Sequence, residues 1–256
     1  MEYEAVRVDR TDHVGTIVLD RPDAMNTFNT QLATDLDAAL RELEAEAEIR
    51  AIVVRGAGPA FSAGIDVGEH ENHESEGEYE DWVATMEEPF LTLAEMGTPV
   101  IAAAHGHAVA NGLGLLSACD LAVVAEGTQL GATAPKVGLF CMGPAVPLMR
   151  SLTEKRTLEL LLTGDLVDAE TALDWGLVNR LVPEDELEDA AMDLASSITE
   201  KSPTAVQMGK QAYYEMADME YERALRYSNQ RFAELCTTED AAEGIDAFLS
   251  GRAPPW

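Results

Sequence analysis

Lysine is nearly missing from this 256-residue chain. It occurs only at Lys136, Lys155, Lys201 and Lys210, and with arginine it brings the basic total to 17 against 47 acidic residues, a formal charge of -30. Charge of this sign and size repels nucleic acid and anionic membrane surfaces, so neither is expected as a partner. The acid does not signal disorder, because hydrophobic residues make up 46% of the chain and disorder pairs high charge with low hydrophobicity. A folded surface rich in Asp and Glu and poor in Lys fits a halophilic protein working in concentrated salt, where self-repulsion is screened. Cysteine is also scarce. Cys119, Cys141 and Cys236 are odd in number, form no C-x-x-C pair and lack His partners at zinc-ligand intervals, which argues against a disulfide framework or a metal site and for a reducing, cytoplasmic setting. The opening "MEYEAVRVDRTD" holds no apolar stretch of the signal-peptide kind, and no run elsewhere approaches the length of a membrane span, so a soluble protein is expected.

What is present is alternation. "VGTIVLD" (14–20), "AIVVRG" (51–56), "PVIAAAHG" (99–106) and "LAVVAEG" (121–127) are short, apolar, β-branched runs ending in turn residues, the pattern of buried strands. Leu32, Leu36, Leu40 and Leu43 recur at helical spacing behind the capping candidate Asn29, predicting an amphipathic helix with an acidic outer face. A charged segment, 70–81, leads to a helix expected around 82–96, and another short helix is expected from about Gly112. Strands alternating with helices predict an α/β fold with a largely parallel sheet. Beyond about residue 150 the pattern turns helical. No linker separates the halves, so residues 1–190 are expected to form an α/β core and 191–256 a C-terminal helical region of the same unit.

Two junctions share one design, an apolar strand followed by a Gly-containing turn and a helix start: "AIVVRGAGPAFSAGID" and "VIAAAHGHAVANGLG". Peptide N–H groups at a helix N-terminus lack intrahelical acceptors and sit at the positive end of the dipole. Two such donors converging make an oxyanion hole. A dinucleotide site is the rival reading of Gly56-Ala57-Gly58. It is disfavoured because Phe61 stands where the third glycine belongs and Pro59 has no N–H to offer a pyrophosphate.

The stretches "LDRPDAMNTFNTQL" (19–32), "FSAGIDV" (61–67), "PVIAAAHGHAVANGLGLLSACDLAVVAEG" (99–127), "VGLF" (137–140), "LLLTGDLVDAETALDWGLVNRLVP" (160–183) and the terminal "RAPPW" together resemble the enoyl-CoA hydratase/isomerase, or crotonase, family. The resemblance runs in register from about residue 5 to the C-terminus. It implies a crotonase-like spiral of β-β-α turns with a C-terminal helical trimerisation region, a homotrimer or dimer of trimers, and an acyl-CoA substrate whose thioester carbonyl is held by two peptide N–H groups. No permanently bound cofactor is implied, coenzyme A entering as part of the substrate. Carried onto this sequence, the donors are the N–H groups of Ile65 and Asn111. Met25, Ala63, Gly64, Asp66, Val67 and Gly68 are implied to line or shape the substrate site beside them.

One part of the family pattern is absent. Hydration of a conjugated thioester needs proton transfers at two carbons, for which hydratases of the family use a pair of glutamates. Their slots fall here at Gly114 and Ala134, with no acid among the immediate neighbours, and the isomerases' alternative carboxylate slot is near Met142. The stretch "ATAPKVGLFC" resembles instead a glutamate-free subgroup of the family, of the enoyl-CoA hydratase domain-containing protein 3 type. Three readings stay open: an acyl-CoA enzyme stabilising an oxyanion or enolate by chemistry other than two-glutamate hydration, such as thioester hydrolysis or decarboxylation; a hydratase or isomerase with a relocated acid/base; and a non-catalytic acyl-CoA-binding subunit. His70, His107 and Cys141 are pocket candidates, each with a commoner role as lining, loop or buried thiol. Asp120 reads as structural.

Overall fold

The computed structural model describes residues 3–256. The chain opens on an antiparallel hairpin of β1 (Val6–Thr11) and β2 (Val14–Leu19), turned at Asp12, whose φ is 52°. A short 3-10 turn at Pro22–Ala24 leads to α1 (Thr30–Glu44), and then β3 (Ala51–Gly56) lies parallel to β2. Asn29 caps α1 by accepting from the Leu32 N–H at 2.9 Å, as an Asn at that position should. Leu32, Leu36, Leu40 and Leu43 are fully buried, each contributing roughly 1.5–3 kcal/mol by leaving water.

Next come α2 (Val67–His70) and α3 (Glu76–Glu95), followed by β4 (Val100–Ala104). The helix expected from residue 82 begins six residues earlier, inside the charged segment. Ser75 and Glu78 form a reciprocal capping box there, which satisfies two end donors and lets an acidic run enter the helix. From β4 the chain crosses to β5 (His107–Val109), α4 (Asn111–Ala118), β6 (Leu121–Ala125) and β7 (Gln129–Gly131). It continues through α5 (Met142–Ser151), α6 (Glu154–Thr163), β8 (Leu166–Asp168), α7 (Ala169–Trp175), β9 (Arg180–Val182) and α8 (Leu187–Thr199). Helices α9 (Pro203–Ala217), α10 (Tyr221–Leu235) and α11 (Glu239–Ser250) close it.

The strands form two sheets, one in the order β1-β2-β3-β4-β6-β9 and one in the order β5-β7-β8. All neighbours in the larger sheet after β1 are parallel. The chain therefore shuttles between sheets, β4 to β5 and β6 to β7, and each pass ends in a helix or a tight turn. The three-residue strands of the small sheet lie below the length at which periodicity is readable, and the sequence expectation did not include them.

Both faces of the larger sheet are covered, and residue parity decides which face a side chain joins. Ile52, Val54, Val100, Ala102 and Ala104 pack in the main core with α1, α3 and α4. Ala51, Val53, Ile101 and Ala103 pack on the other face against Leu187, Ala191 and Ala195 of α8. Asp120 joins the sheet to the terminal helices: it accepts from the Val100 N–H at 2.7 Å, the Tyr214 hydroxyl at 2.9 Å and the Lys210 ammonium at 2.7 Å. The structural role expected of it follows from those bonds. Helices α9 and α11 bury one residue each, Ala212 and Ala247, and α10 none.

Candidate active site

The first turn begins where β3 ends. Gly58, with φ at +74°, turns the chain so that Phe61 and Ser62 run beside the start of β5. The Phe61 N–H donates to the His105 carbonyl at 2.9 Å, the Ser62 N–H to His107 at 3.0 Å, and the Val109 N–H returns to Ser62 at 3.1 Å. The other side of the segment is held by the loop before α1. Ala63 donates to the Met25 carbonyl at 2.9 Å, while Phe28 donates to Gly64 and receives from Asp66, both at 2.7 Å. That loop is itself pinned by the buried Asn26, whose side-chain amide donates to the carbonyls of Ala57 and Ala60 at 2.8 Å. Arg21 adds an ion pair to Asp66 at 3.0 Å.

A donor-by-donor account of residues 61–66 leaves one remainder. Phe61, Ser62, Ala63 and Asp66 donate to carbonyls and Gly64 to the Ser62 hydroxyl at 3.3 Å, whereas the Ile65 N–H has no acceptor among the described residues.

The second turn lies against the first. Ala110 sits at φ 46°, ψ -115°, a backbone region costing a non-glycine residue about 1–3 kcal/mol and kept only where its surroundings fix it. Its N–H is anchored on the Gly131 carbonyl at 2.9 Å. Two glycines set the spacing of the turns. A Cβ on Gly64 would lie 2.9 Å from the Ala110 Cβ and 3.2 Å from the Val109 carbonyl oxygen, and one on Gly112 would lie 2.4 Å from the Ser62 carbonyl oxygen. Neither position has room for a side chain. Immediately after Ala110, Asn111 opens α4; its N–H is one of the helix's orphan donors and has no acceptor among the described residues. The arrangement thus holds two unused peptide donors, at Ile65 and Asn111, on turns in van der Waals contact.

The sequence profile of the enoyl-CoA hydratase/isomerase family matches residues 9–256. This chain belongs to that family. It is 34% identical over 256 residues to the probable enoyl-CoA hydratase echA8 of Mycobacterium tuberculosis, covering 99% of this chain and 98% of the relative. It is 32% identical over 246 residues to the mitochondrial enoyl-CoA hydratase domain-containing protein 3 of Rattus norvegicus, covering 96% and 82%. The crystal structure of an enoyl-CoA hydratase from Mycobacterium smegmatis superposes with a TM-score of 0.95 at 35% identity, covering 99% of each chain. That of human enoyl-CoA hydratase domain-containing protein 3 superposes at 0.92 with 30% identity, covering 99% of this chain and 100% of the other. The fold is the crotonase fold.

At Gly114, one of the two positions where the resemblance implies a glutamate, the space is already filled. A Cβ on Gly114 would lie 2.9 Å from the Phe90 ring of α3 and 3.1 Å from the Pro144 α-carbon of α5, so Phe90 and Pro144 close over the helix face from which a glutamate would project. Ala134 opens a 3-10 turn, and its N–H points to the Cys141 sulfur. Cys141 is therefore brought to Ala134, but burial raises its thiol pKa and keeps it protonated.

The remaining predicted residues separate into two groups. Met25, Ala63, Gly64, Ile65, Asp66 and Asn111 are brought together by the two turns, Met25 through its bond to Ala63. Val67 and Gly68, at the start of α2, are exposed, and Asp66 caps that turn by accepting from the Gly68 N–H at 3.1 Å. His107 is exposed at the start of β5. His70 packs against Tyr79 with ring centroids 4.9 Å apart and reaches Trp82 at 6.3 Å, in a cluster that also holds His73. Glu69 fixes the base of that cluster by accepting from Trp82 Nε1 at 3.1 Å and the Thr30 N–H at 2.8 Å.

Four residues escape sequence reading: Asn26, Phe90, Gly143 and Glu87. Asn26 acts through hydrogen bonds and Phe90 through packing, neither announced by a local pattern. Glu87 lies on α3, where its carboxylate meets Gly143: a Cβ on Gly143 would fall 1.6 Å from Glu87 Oε1. It lines a cavity of about 750 Å³ with Phe90, Gly143 and Tyr213. Burial raises its pKa. Among 47 acidic residues, nothing in its immediate sequence sets it apart.

Proposed function

We propose that this chain binds a coenzyme A thioester and holds its carbonyl oxygen with the Ile65 and Asn111 peptide N–H groups, stabilising the charge that builds there as an oxyanion or enolate forms. The single observation that carries this reading is the pair of acceptor-less donors on two turns in contact. Preorganised donors of this kind act mainly on the transition state, and each is worth roughly 3–4 kcal/mol of barrier. Met25 and residues 63–68 form the neighbouring wall for the CoA portion, which is substrate; no resident cofactor is required. Two-glutamate hydration is not supported, because Gly114 and Ala134 offer no proton-transfer group and Phe90 and Pro144 occupy the space beside Gly114.

The protein is proposed to work as a homotrimer or dimer of trimers in the cytoplasm, with 191–256 supplying the contacts. Tyr221, Phe232, Phe248 and Leu249 of the terminal helices are 77%, 67%, 84% and 78% exposed, apolar faces left uncovered by the described residues. No helix among the described residues is long and apolar enough to cross a membrane.

The test replaces Asn111 by proline. Proline is accommodated at the first position of a helix and removes the N–H; because it also restricts the preceding Ala110, circular dichroism checks that the variant folds. Isothermal titration with butyryl-CoA and turnover of a panel of thioesters, including crotonyl-CoA and malonyl-CoA, should show binding by the parent chain and a 10²- to 10³-fold loss of turnover in the variant. Binding without turnover of any thioester would leave an acyl-CoA-binding subunit, and failure to bind CoA derivatives would overturn the reading.

A further inference from the structure

We propose that Glu87 is the proton-transfer residue of this site, its carboxylate carried by α3 and seated on the bare α-carbon of Gly143 instead of projecting from α4. The inference rests on the thioester-binding reading above and adds the group that reading lacks. Its basis is a chain of contacts leading from the donor pair to the carboxylate. Gly114 lies one turn along α4 from Asn111, a rise of about 4.5 Å. The face of Gly114 is covered by Phe90 and by Pro144. Glu87 precedes Phe90 by three residues on the same face of α3, and Gly143 precedes Pro144. The carboxylate therefore comes to the neighbourhood of the vacant slot from the opposite wall.

The fit at Gly143 is specific. Any side chain there would collide with Glu87 Oε1 and its carboxyl carbon, at 1.6 and 2.1 Å, so the absent Cβ is what makes room for the acid. Structural carboxylates in this protein are engaged: Asp120 takes three donors, Glu69 bonds Trp82 and Thr30, and Asp66 pairs with Arg21. Glu87 is half-buried and has no hydrogen bond or ion pair among the described residues. Arg150, which lines the same cavity, is committed elsewhere, to Asp218 at 2.7 Å. A half-buried, unpaired carboxyl against a bare α-carbon has no structural explanation, and desolvation moves it toward neutrality, as suits a group that both takes and gives a proton.

The step is enolisation of the acyl group. A Glu87 oxygen takes a proton from the α-carbon; the C–H pair moves into the bond to the carbonyl carbon as the carbonyl π pair moves onto oxygen, where the Ile65 and Asn111 N–H groups hold it. Return of the proton from the same carboxyl reverses the electron flow and restores the thioester, so no co-reactant is consumed. The substrates are thioesters carrying an α-hydrogen.

The experiment is deuterium exchange into butyryl-CoA in D2O, read by mass spectrometry, with affinity measured in parallel by titration calorimetry. The parent chain should label the α-carbon. Glu87→Gln should lower the exchange rate by roughly 10²- to 10⁴-fold with the dissociation constant held within about threefold, and Glu87→Asp should recover part of the loss. Gly143→Ala, which displaces the carboxylate without deleting it, should also slow exchange and carries the test if Glu87→Gln fails to fold. Undiminished exchange in Glu87→Gln overturns the assignment, and so does a parent chain that binds butyryl-CoA without labelling it; thioester binding survives in both cases. A parent chain that does not bind butyryl-CoA overturns the thioester reading itself, and this inference with it.

Discussion

The two peptide turns and the helix face one turn beyond them stand side by side yet obey different chemical rules. At the turns the unused groups are backbone N–H donors, which survive any substitution except proline, and so position 111 keeps a donor whatever its side chain. On the Gly114 face function depends on the side chain, and losing it leaves nothing behind. Backbone sites thus tolerate sequence change at the donor and forbid it at the packing neighbours. Side-chain sites do the reverse.

The sharpest way to break this comparison is at Asn111. Asn111→Pro should cost about 3–4 kcal/mol of barrier through the lost donor, whereas Asn111→Ala should leave turnover within about threefold; equal losses in steady-state kinetics would show that the side chain, not the N–H, matters. Next in size is Gly112→Ala, whose added carbon meets the Ser62 carbonyl oxygen at 2.4 Å. Urea denaturation should show a loss of roughly 1–3 kcal/mol from overpacking, with thioester affinity falling as the turns separate. Gly114→Glu tests the other side. With Phe90 and Pro144 in its way it should lose about 1–3 kcal/mol and gain no crotonyl-CoA hydration, while Phe90→Ala in the same chain should relieve part of the strain. The smallest effect per residue is that of salt on the acidic surface. Raising KCl should raise the melting midpoint seen by circular dichroism, by a few tenths of a kcal/mol per screened repulsion; a midpoint unchanged in dilute buffer would remove the case for adaptation to concentrated salt.

How far the site was legible follows from what each residue's signal depends on. Ile65 and Asn111 could be nominated as donors because strand, glycine turn and helix start are local patterns and the family motifs suggest their register. Gly114 and Ala134 were nominated in the same way, as residues without an acid where the resemblance implies one. Glu87 was not, since its distinction lies in touching Gly143, 56 positions away, and in lacking the partners that other acids have. Among the histidines, His70 drew attention by type, but its ring contacts with Tyr79 and Trp82 describe an aromatic cluster at the start of α3. The strands β2, β3, β4 and β6 were readable from apolar β-branched runs. The small sheet was not, because three-residue strands such as Gln129–Gly131 are defined by their neighbours and carry no periodicity of their own.

By itself the sequence determined the family, the parallel α/β core and the placement of the two turns, because each is written in local spacing or in residue identity at a motif position. Only the tertiary structure decided that those turns touch, that the Ile65 and Asn111 N–H groups have no acceptor among the described residues, that Phe90 and Pro144 fill the space beside Gly114, and that Glu87 sits against Gly143. Contact and hydrogen-bond satisfaction are properties of pairs distant in sequence, and a linear pattern does not contain them.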